Sequence, residues 1–576
     1  MGNFSLTAFE MQRSLFSLGK KRGAPMTRAL DVPRMRARVS ELLAEYRIPS
    51  AVIGVLRDGE ITDFAVGVKN ISTREPATTD TIYQCGSVSK TWTALAFMQL
   101  VDEGKVALDE PVRTYLPDFR VADPDVSAKV TPRHLLNHTN GIEESYGDPG
   151  EDDDVYERMV ANIAGASQVH PLGHTHGYSA ALGYAILARI MEVIDGKRWD
   201  DIMKDRLFDP LGLTSTSSRH EHADQNRAAT GYLIRSLEEG PILSPLDHLP
   251  RSFGPGGNVN TTARELLTMA YVFLNEGKAP NGTRIVSPGI IREMTESRVP
   301  IPDPYMFGPE WALGLIVCDW HGQTVYAHDG SAVSQSARLR ILPESNIAVS
   351  MLANAGPRDS FYRKVFNEIL ADLGAVTIPD LPEPDPTLAL DLSRYEGSYE
   401  RPGTRYEVAA EHGKLHLRFT LNPMEAQLLD KPEQLDYELL PISETHFLMP
   451  SNDPLEDPQT VAIYDFKNGA AQYLHLNCRV NPRVNEEGAT MHVMAVSTIS
   501  DTDGFWDCLK TAYGRLPKGA KWTLAVASTD GTKAVNVIVH DSIDGVRTFF
   551  EDHAGAFATT DYFEADASNA VGLPTT

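Results

Sequence analysis

The chain has 576 residues, 42% of them hydrophobic and 23% charged, a globular composition too long for one hydrophobic core. Its 53 Lys and Arg against 78 Asp and Glu leave a net charge of −25, which makes nucleic acid and anionic membrane poor partners. No run approaches the ~18 apolar residues of a membrane span, and Cys85, Cys318, Cys478 and Cys508 are scattered without CxxC spacing, which argues against a zinc knuckle or disulfide framework and for a reducing, cytoplasmic location.

Residues 1–31 read as an N-terminal extension without a leader-like apolar segment, and Leu6 stands where a myristoylation signal needs Ser or Thr. Helical spacing of apolar residues begins at Val32 and runs to Tyr46. Two β-rich runs, AVIGVL and ITDFAVGV, follow, joined by Arg57-Asp58-Gly59-Glu60, where Asp-Gly supplies the positive φ of a tight hairpin. After a long helical middle, strands return at TVYAH, ARLRILP and IAVSMLAN, and a helix is expected from Ser360 to Leu373. Sheet at both ends with helices between predicts an α/β layer fold, closed late in the chain, over residues 32–376.

Residues 377–390 are rich in proline and acidic side chains and read as a linker. From 391 to 486, short alternating runs separated by Gly, Asn, Asp and Pro predict a small antiparallel β-barrel. Residues 487–576 give a β-α-β-β-α order with a short tail, a ferredoxin-like α+β module. Its β-branched strands suit pairing with a second copy, so an oligomerisation or cleft-covering role is expected.

The chemistry centres on Ser87. A strand-like TIYQ leads through Gly86 to Ser87 at the entrance of a long helix expected to be amphipathic, with Lys90 one turn on. A serine hydroxyl is a poor nucleophile until a base removes its proton, and a desolvated lysine on the same helix face can do so. The helix N-terminus adds free N–H groups for charge developing on an attacked carbonyl. Ser17 and Lys20 repeat the spacing, but only Ser87 follows a strand and a glycine and precedes a long helix.

Four further segments stand in order beyond GSVSK. They are LLNHTNGI at Leu135–Ile142, HPLGHTHGYSAALGY with Tyr178 just ahead of a helix, FGPGGNVN with a Gly256-Gly257 loop before another helix, and AHDGSAVS with His328-Asp329-Gly330 at a strand end. Over Val32 to Leu373 this set resembles the class C β-lactamase-like serine hydrolases, the penicillin-binding-protein fold that includes D-aminopeptidases and esterases. The resemblance implies a serine β-lactamase-like α/β sandwich with an antiparallel sheet, and it likens the following barrel to the lipocalin-like barrel that many such hydrolases carry. It implies Ser87 as nucleophile, Lys90 as base, Tyr178 as second proton relay and His328 in the motif lining the cleft. Amides of Ser87 and Ser331 would form the oxyanion hole, and Asp329, Gly330, Gly256 and Gly257 would line the cleft. Whether Lys90 or Tyr178 takes the proton, and which returns it, stays open.

The chain departs from that pattern in three places. Tyr178-Ser179 is followed by Ala180 instead of Asn, and one extra residue precedes GYAILARIME. His-Asp-Gly replaces Lys-Thr-Gly, removing a fixed cation suited to a substrate carboxylate and making penicillin hydrolysis less expected. HTNG stands for HTSG, and Ser334 takes a place often held by Gly, reshaping the cleft.

Other residues read as structural. His170, His174 and His176, like His220-Glu221-His222, lack the context of a metal site, GPGGN lacks the Lys-Ser/Thr of a phosphate cradle, and Cys85 reads as buried packing. No metal or cofactor is expected. The expected activity is a serine hydrolase acting on an ester or amide of a peptide or small acylated metabolite. Acyl transfer to an amine or alcohol on the same fold, as in transesterases and peptide-cyclising thioesterases, and a catalytically silent binding protein are the alternatives.

Overall fold

Asp58 and Gly59 both take positive φ, 51° and 85°, so β1 (Ser50–Arg57) turns straight into β2 (Glu60–Asn70) with Arg57 opposite Glu60. The computed structural model describes residues 29–565 apart from 145–146, 333, 357–358, 403, 421–431, 452–456, 485–490, 513–515, 517–519 and 541. Most of the expected N-terminal extension, with Ser17 and Lys20, lies outside the described residues.

Helix α1 (Val32–Glu45) precedes the hairpin, and its first turn is capped by Asp31 accepting from the Arg34 amide. A short strand β3 (Glu75–Pro76) adds to the edge of β2. The late strands are β4 (Val299–Pro300), β5 (Glu310–Trp311), β6 (Ile316–Trp320), β7 (Gln323–Ala332), β8 (Gln335–Leu342) and β9 (Ile347–Ala353). They complete a nine-stranded antiparallel sheet in the order β3-β2-β1-β9-β8-β7-β6-β5-β4. Ala51 lies opposite Ala353, so the first strand pairs with the last, as sheet at both chain ends requires.

Helices cover both faces of this sheet. On one face α1 and the final helix (Asp359–Asp372) bury Met35, Leu42, Phe361 and Ile369 against it. On the other lie α2 (Ser89–Asp102), α3 (Leu182–Asp195) and α4 (Ala263–Leu274), which share a core containing Trp92, Leu95, Ile186 and Leu267. Helix α2 is buried on every side from Ser89 to Leu100 and not amphipathic as its sequence led one to expect. Its polar positions, Thr91 and Thr93, are satisfied by the carbonyls of Gly314 and Pro255.

No helix or strand forms between Leu373 and Asp391, where prolines remove donors. Eight consecutive strands from Gly397 to Pro482 then form an up-and-down antiparallel sheet. It closes on itself where Tyr399 bridges Arg483 and the Val484 amide donates to Ser398, with Tyr395, Tyr399 and Leu417 inside. The last module has strands Met491–Ile499, Lys521–Ala527, Lys533–His540 and Ala558–Ala565, with helices at Thr502–Ala512 and Ile543–Ala554. The segment expected as a tail is in part a fourth strand, with Tyr562 opposite Ala495, which completes β-α-β-β-α-β; residues 566–576 lie outside the described residues. Among the described residues no helix is long and apolar enough to cross a membrane.

Candidate active site

The nucleophile candidate is placed by a strand, a glycine and a tight turn. Tyr83–Gln84 pairs with Asn260–Thr261, the Cys85 amide donates to Val259, and the chain then enters a 3-10 turn at Gly86–Val88 that runs into α2. Gly86 has φ of 51°, and a Cβ there would stand 2.5 Å from the Ser331 amide nitrogen. A Cβ on Gly330 would lie 2.0 Å from the Cys85 carbonyl oxygen and 3.0 Å from the Ser87 nitrogen. Both glycines are therefore required for β7 to lie flush against the turn, and this contact brings the backbones of Ser87 and Ser331 together.

Ser87 is half-buried, whereas Lys90 one turn further is wholly enclosed. Lys90 Nζ lies 3.2 Å from Ser87 Oγ and donates to the Gly256 carbonyl at 2.9 Å. Burial pushes the Lys90 ammonium down to about 7, with the Glu144 charge opposing the fall and the Arg479 charge adding to it. Gly256 and Gly257, expected in a loop, belong to one helical turn, Gly254–Gly257, because Thr93 and Lys90 on α2 hold the carbonyls of Pro255 and Gly256.

Tyr178 completes the cluster. Its ring lies 4.8 Å from Lys90 Nζ and packs against His138, Phe307 and Trp311. Burial raises its hydroxyl above the ordinary tyrosine value, opposed in part by a hydrogen bond with Ser87. The HTNG segment supports it from below: the His138 carbonyl accepts from the Gly177 amide at 2.9 Å, and His138 Nδ1 accepts from the Ser179 amide at 3.0 Å.

Two charged residues that the sequence reading did not single out fix this segment. Glu144 Oε1 accepts from Ser179 Oγ at 2.5 Å and from the amides of Ala181 and Leu182 at 3.0 and 3.3 Å, so its carboxylate caps α3. Burial raises its pKa, but Arg479 and these hydrogen bonds outweigh that effect and hold it ionised below the usual carboxylate range. Arg479 comes from the barrel. Asn477 and Cys478 turn with φ of 51° and 60°, the Cys478 carbonyl accepts from the Tyr178 amide at 2.8 Å, and the Arg479 guanidinium donates to the Tyr178 carbonyl. That guanidinium lies 3.5 Å from the Glu144 carboxylate and 5.5 Å from the centre of the Tyr178 ring. A small pocket beside Tyr178 is walled by Glu144, His170, Arg401 and Arg479.

His328 and Asp329 point to opposite faces of β7. His328 is buried near Lys90; burial first, and the Lys90 charge second, push it down to about 3, so it is neutral at pH 7. Its Nδ1 bonds the Asp329 carbonyl at 2.8 Å, and its Nε2 has no partner among the described residues. The Asp329 carboxylate, expected to line the cleft, instead pairs with Arg340 at 2.6 Å on the face packed against the Asp359–Asp372 helix. Strand alternation explains the difference, since only every second side chain of β7 reaches the cleft. Ser334 is buried, with its Oγ 2.0 Å from where a Cβ on Gly231 would stand.

The remaining sequence features take structural places. Cys85 is buried, and burial pushes its thiol up to about 12. His176 is enclosed by His138, Trp311 and His475, while His174 bonds Asp465 of the barrel at 3.1 Å. His220, Asp247 and His248 bring ligand-type atoms within 4.8 Å of one another, but the two imidazoles stack at 7° and His248 pairs with Asp247. Stacked rings do not direct their in-plane lone pairs at one ion.

The Beta-lactamase family model matches residues 35–371. The chain is similar to "Penicillin-binding protein 4" of Amycolatopsis lactamdurans, 38% identical over 380 residues that make up 65% of this chain and 98% of that protein. It is similar to "Esterase EstB" of Burkholderia gladioli, 39% identical over 124 residues, 20% of this chain and 32% of that one. Among solved structures, SurE superposes with a TM-score of 0.62 at 26% identity, over 78% of this chain and 99% of SurE, and a second SurE structure, with D-Leu, gives 0.61 at 25%. An amine beside a hydroxyl, two backbones converging opposite them and these likenesses lead to one assignment: the chain belongs to the Beta-lactamase family, as a serine hydrolase related to the β-lactamases.

Proposed function

We propose that the protein cleaves an ester or amide through an acyl-enzyme on Ser87. The observation that carries the proposal is the 3.2 Å approach of the wholly buried Lys90 Nζ to the half-buried Ser87 Oγ at the entrance of α2. With an ammonium pKa near 7, much of Lys90 is neutral at physiological pH and has a lone pair for the serine proton. Neutral Lys90 takes that proton as Oγ bonds to the substrate carbonyl carbon. The Ser87 and Ser331 amides receive the resulting oxyanion. Tyr178, protonated at neutral pH, gives its proton to the leaving alkoxide or amine as the C–O or C–N bond breaks, and the Lys90 ammonium then returns a proton to the phenolate. Water repeats these steps in reverse to release the acid.

His328 is neutral, so the motif that often carries a lysine supplies no cation, and Arg479 from the barrel stands in the same region. A substrate with a carboxylate near the scissile bond would share that guanidinium with Glu144; a solved SurE structure similar to this chain holds D-Leu, a carboxylate-bearing molecule. Arg479 also favours a second reading, in which the acyl group passes to the amine of a carboxylate-bearing acceptor instead of water. Four unpaired cysteines, three of them buried, suit a cytoplasmic setting.

The test compares wild type and Ser87→Ala on p-nitrophenyl esters and on D- and L-amino-acid amides, with and without an added amino acid. Turnover confined to wild type supports the proposal, and turnover unchanged in Ser87→Ala refutes it. Product mass separates the two fates: free acid alone counts against acyl transfer.

A further inference from the structure

Two guanidiniums of the barrel reach the hydrolase domain, and they are not equivalent. Arg479 is already engaged: it lies 3.5 Å from the Glu144 carboxylate and donates to the Tyr178 carbonyl. Arg401, at the end of the barrel strand Gly397–Arg401, is half-buried and lines the same pocket beside Tyr178. Its Nε is buried without a hydrogen-bond partner, and among the described residues no carboxylate pairs with its guanidinium. Glu143 faces that pocket too, but its carboxylate takes a hydrogen bond from the Glu144 amide. Burial, and after it the Arg479 charge, draw the Arg401 guanidinium below the ordinary arginine value. A guanidinium does not give up its proton in a protein, so the charge stays and its cost is relieved only by an anion.

The pocket is small, about 40 Å³, which is room for one carboxylate or about three waters. Barrel and hydrolase domain close on each other at Gly177, where a Cβ would stand 3.1 Å from Val480 Cγ2 and 3.0 Å from His170 Nε2. His170 Nδ1 bonds the Pro171 carbonyl at 3.0 Å. A carbonyl only accepts, so the imidazole proton sits on Nδ1, and burial keeps the ring neutral. Its Nε2 is then a buried acceptor without a partner among the described residues. The wall of the pocket thus offers one unmet cation and one unmet acceptor, and the end of a peptide chain carries the matching carboxylate and N–H.

We propose that Arg401 binds the terminal carboxylate of a peptide substrate, on the leaving-group side of the scissile bond. The inference rests on the acyl-enzyme reading above and adds a substrate class to it: a peptide with a free C-terminus. The side follows from Tyr178, which protonates the leaving group in that reading and also lines the pocket. A guanidinium and a carboxylate meet through two parallel N–H···O bonds, so the pair fixes orientation as well as charge. Arg479 then holds Glu144 and the Tyr178 segment in place, while Arg401 makes the contact with substrate.

The experiment measures kcat and KM of the full chain on N-acetylated di- and tripeptides of D- and L-amino acids, each as the free acid and as the C-terminal primary amide. Wild type is expected to favour the acid by about tenfold or more in kcat/KM, the worth of one charge-assisted hydrogen-bonded contact. Arg401→Gln is expected to erase most of that preference, chiefly through KM on the acids, and Arg401→Lys, which keeps the charge, to retain more of it. A second readout needs no turnover: the free acids should raise the melting temperature of Ser87→Ala more than the amides do, and Ser87→Ala/Arg401→Gln should lose that difference. A structural role for Arg401 would instead lower the melting temperature and slow acids and amides alike. That result overturns the inference, as does a wild type indifferent to the carboxylate or a preference that Arg401→Gln leaves whole. Peptide turnover that persists in Ser87→Ala overturns the acyl-enzyme reading instead.

Discussion

Arg479 of the barrel and Glu144 of the hydrolase domain meet beside Tyr178, guanidinium 3.5 Å from carboxylate, and both reach Lys90 electrostatically with opposite sign. The barrel thus contributes a charge beside Lys90, and the balance of that pair adjusts a proton affinity that burial lowers first.

The pH profile of kcat/KM is expected to rise through about pH 7 as the Lys90 ammonium deprotonates, since only the neutral amine accepts the serine proton. Glu144 favours the charged amine and Arg479 disfavours it. Glu144→Gln, which keeps a hydrogen-bond acceptor, is therefore expected to move this limb to lower pH, and Arg479→Ala to higher pH. Initial rates from pH 5 to 9 check both directions; shifts of the same sign would contradict the account.

Tyr178→Phe keeps the ring contacts with His138 and Trp311 but removes the hydroxyl. A loss of about 10²–10⁴ in kcat with little change in melting temperature is expected for a proton relay. The loss should be smallest for p-nitrophenyl esters, whose leaving group needs no proton, and largest for amides. No loss on either substrate would leave Tyr178 a packing role alone.

Gly256→Ala introduces a Cβ 2.6 Å from the Ala180 carbonyl oxygen and 3.3 Å from Lys90 Nζ. Backbone must shift, at a cost of about 1–3 kcal/mol, and the carbonyl that holds Lys90 moves with it. Activity is expected to fall more than tenfold while the fold is retained, which circular dichroism and ester turnover together would show.

Asp329→Ala is a stability prediction. It leaves Arg340 buried without its carboxylate, while Arg338 keeps its pair with Asp359, an expected loss of about 3–5 kcal/mol by urea unfolding at pH 7. Burial acts to raise Asp329, but Arg340 and Arg338 together hold it below the usual carboxylate value. Its contribution is thus complete above the unfolded value of about 3.9 and is lost as pH falls through the lower folded value. Wild type should lose stability over that acid range more steeply than Asp329→Ala.

Periodicity and turn chemistry made much of this architecture legible. Asp58-Gly59 set the first hairpin, apolar runs at both ends announced a sheet closed by its last strand, and Ser87 with Lys90 stood out by the strand and glycine ahead of them and the long helix after, since Ser17 and Lys20 repeat the spacing alone. Glu144 and Arg479 were not legible, because neither belongs to a local pattern: one reaches the site through the cap of α3, the other only because the barrel docks its Asn477–Cys478 turn there. Asp329 was misplaced by reading a motif as a block, when alternate residues of a strand face opposite ways. The final strand, Ala558–Ala565, was missed because its alternating polar residues resemble a tail until the strand beside it is known.

The account rests most directly on a covalent bond to Ser87. Wild-type protein mixed with a p-nitrophenyl ester, quenched in acid within milliseconds to seconds and weighed intact, should gain one acyl group in place of one hydrogen. Peptide mapping should put that group on Ser87, with Ser87→Ala gaining none. An acyl group mapped to Cys85 or Ser89, or full turnover by Ser87→Ala, would contradict it.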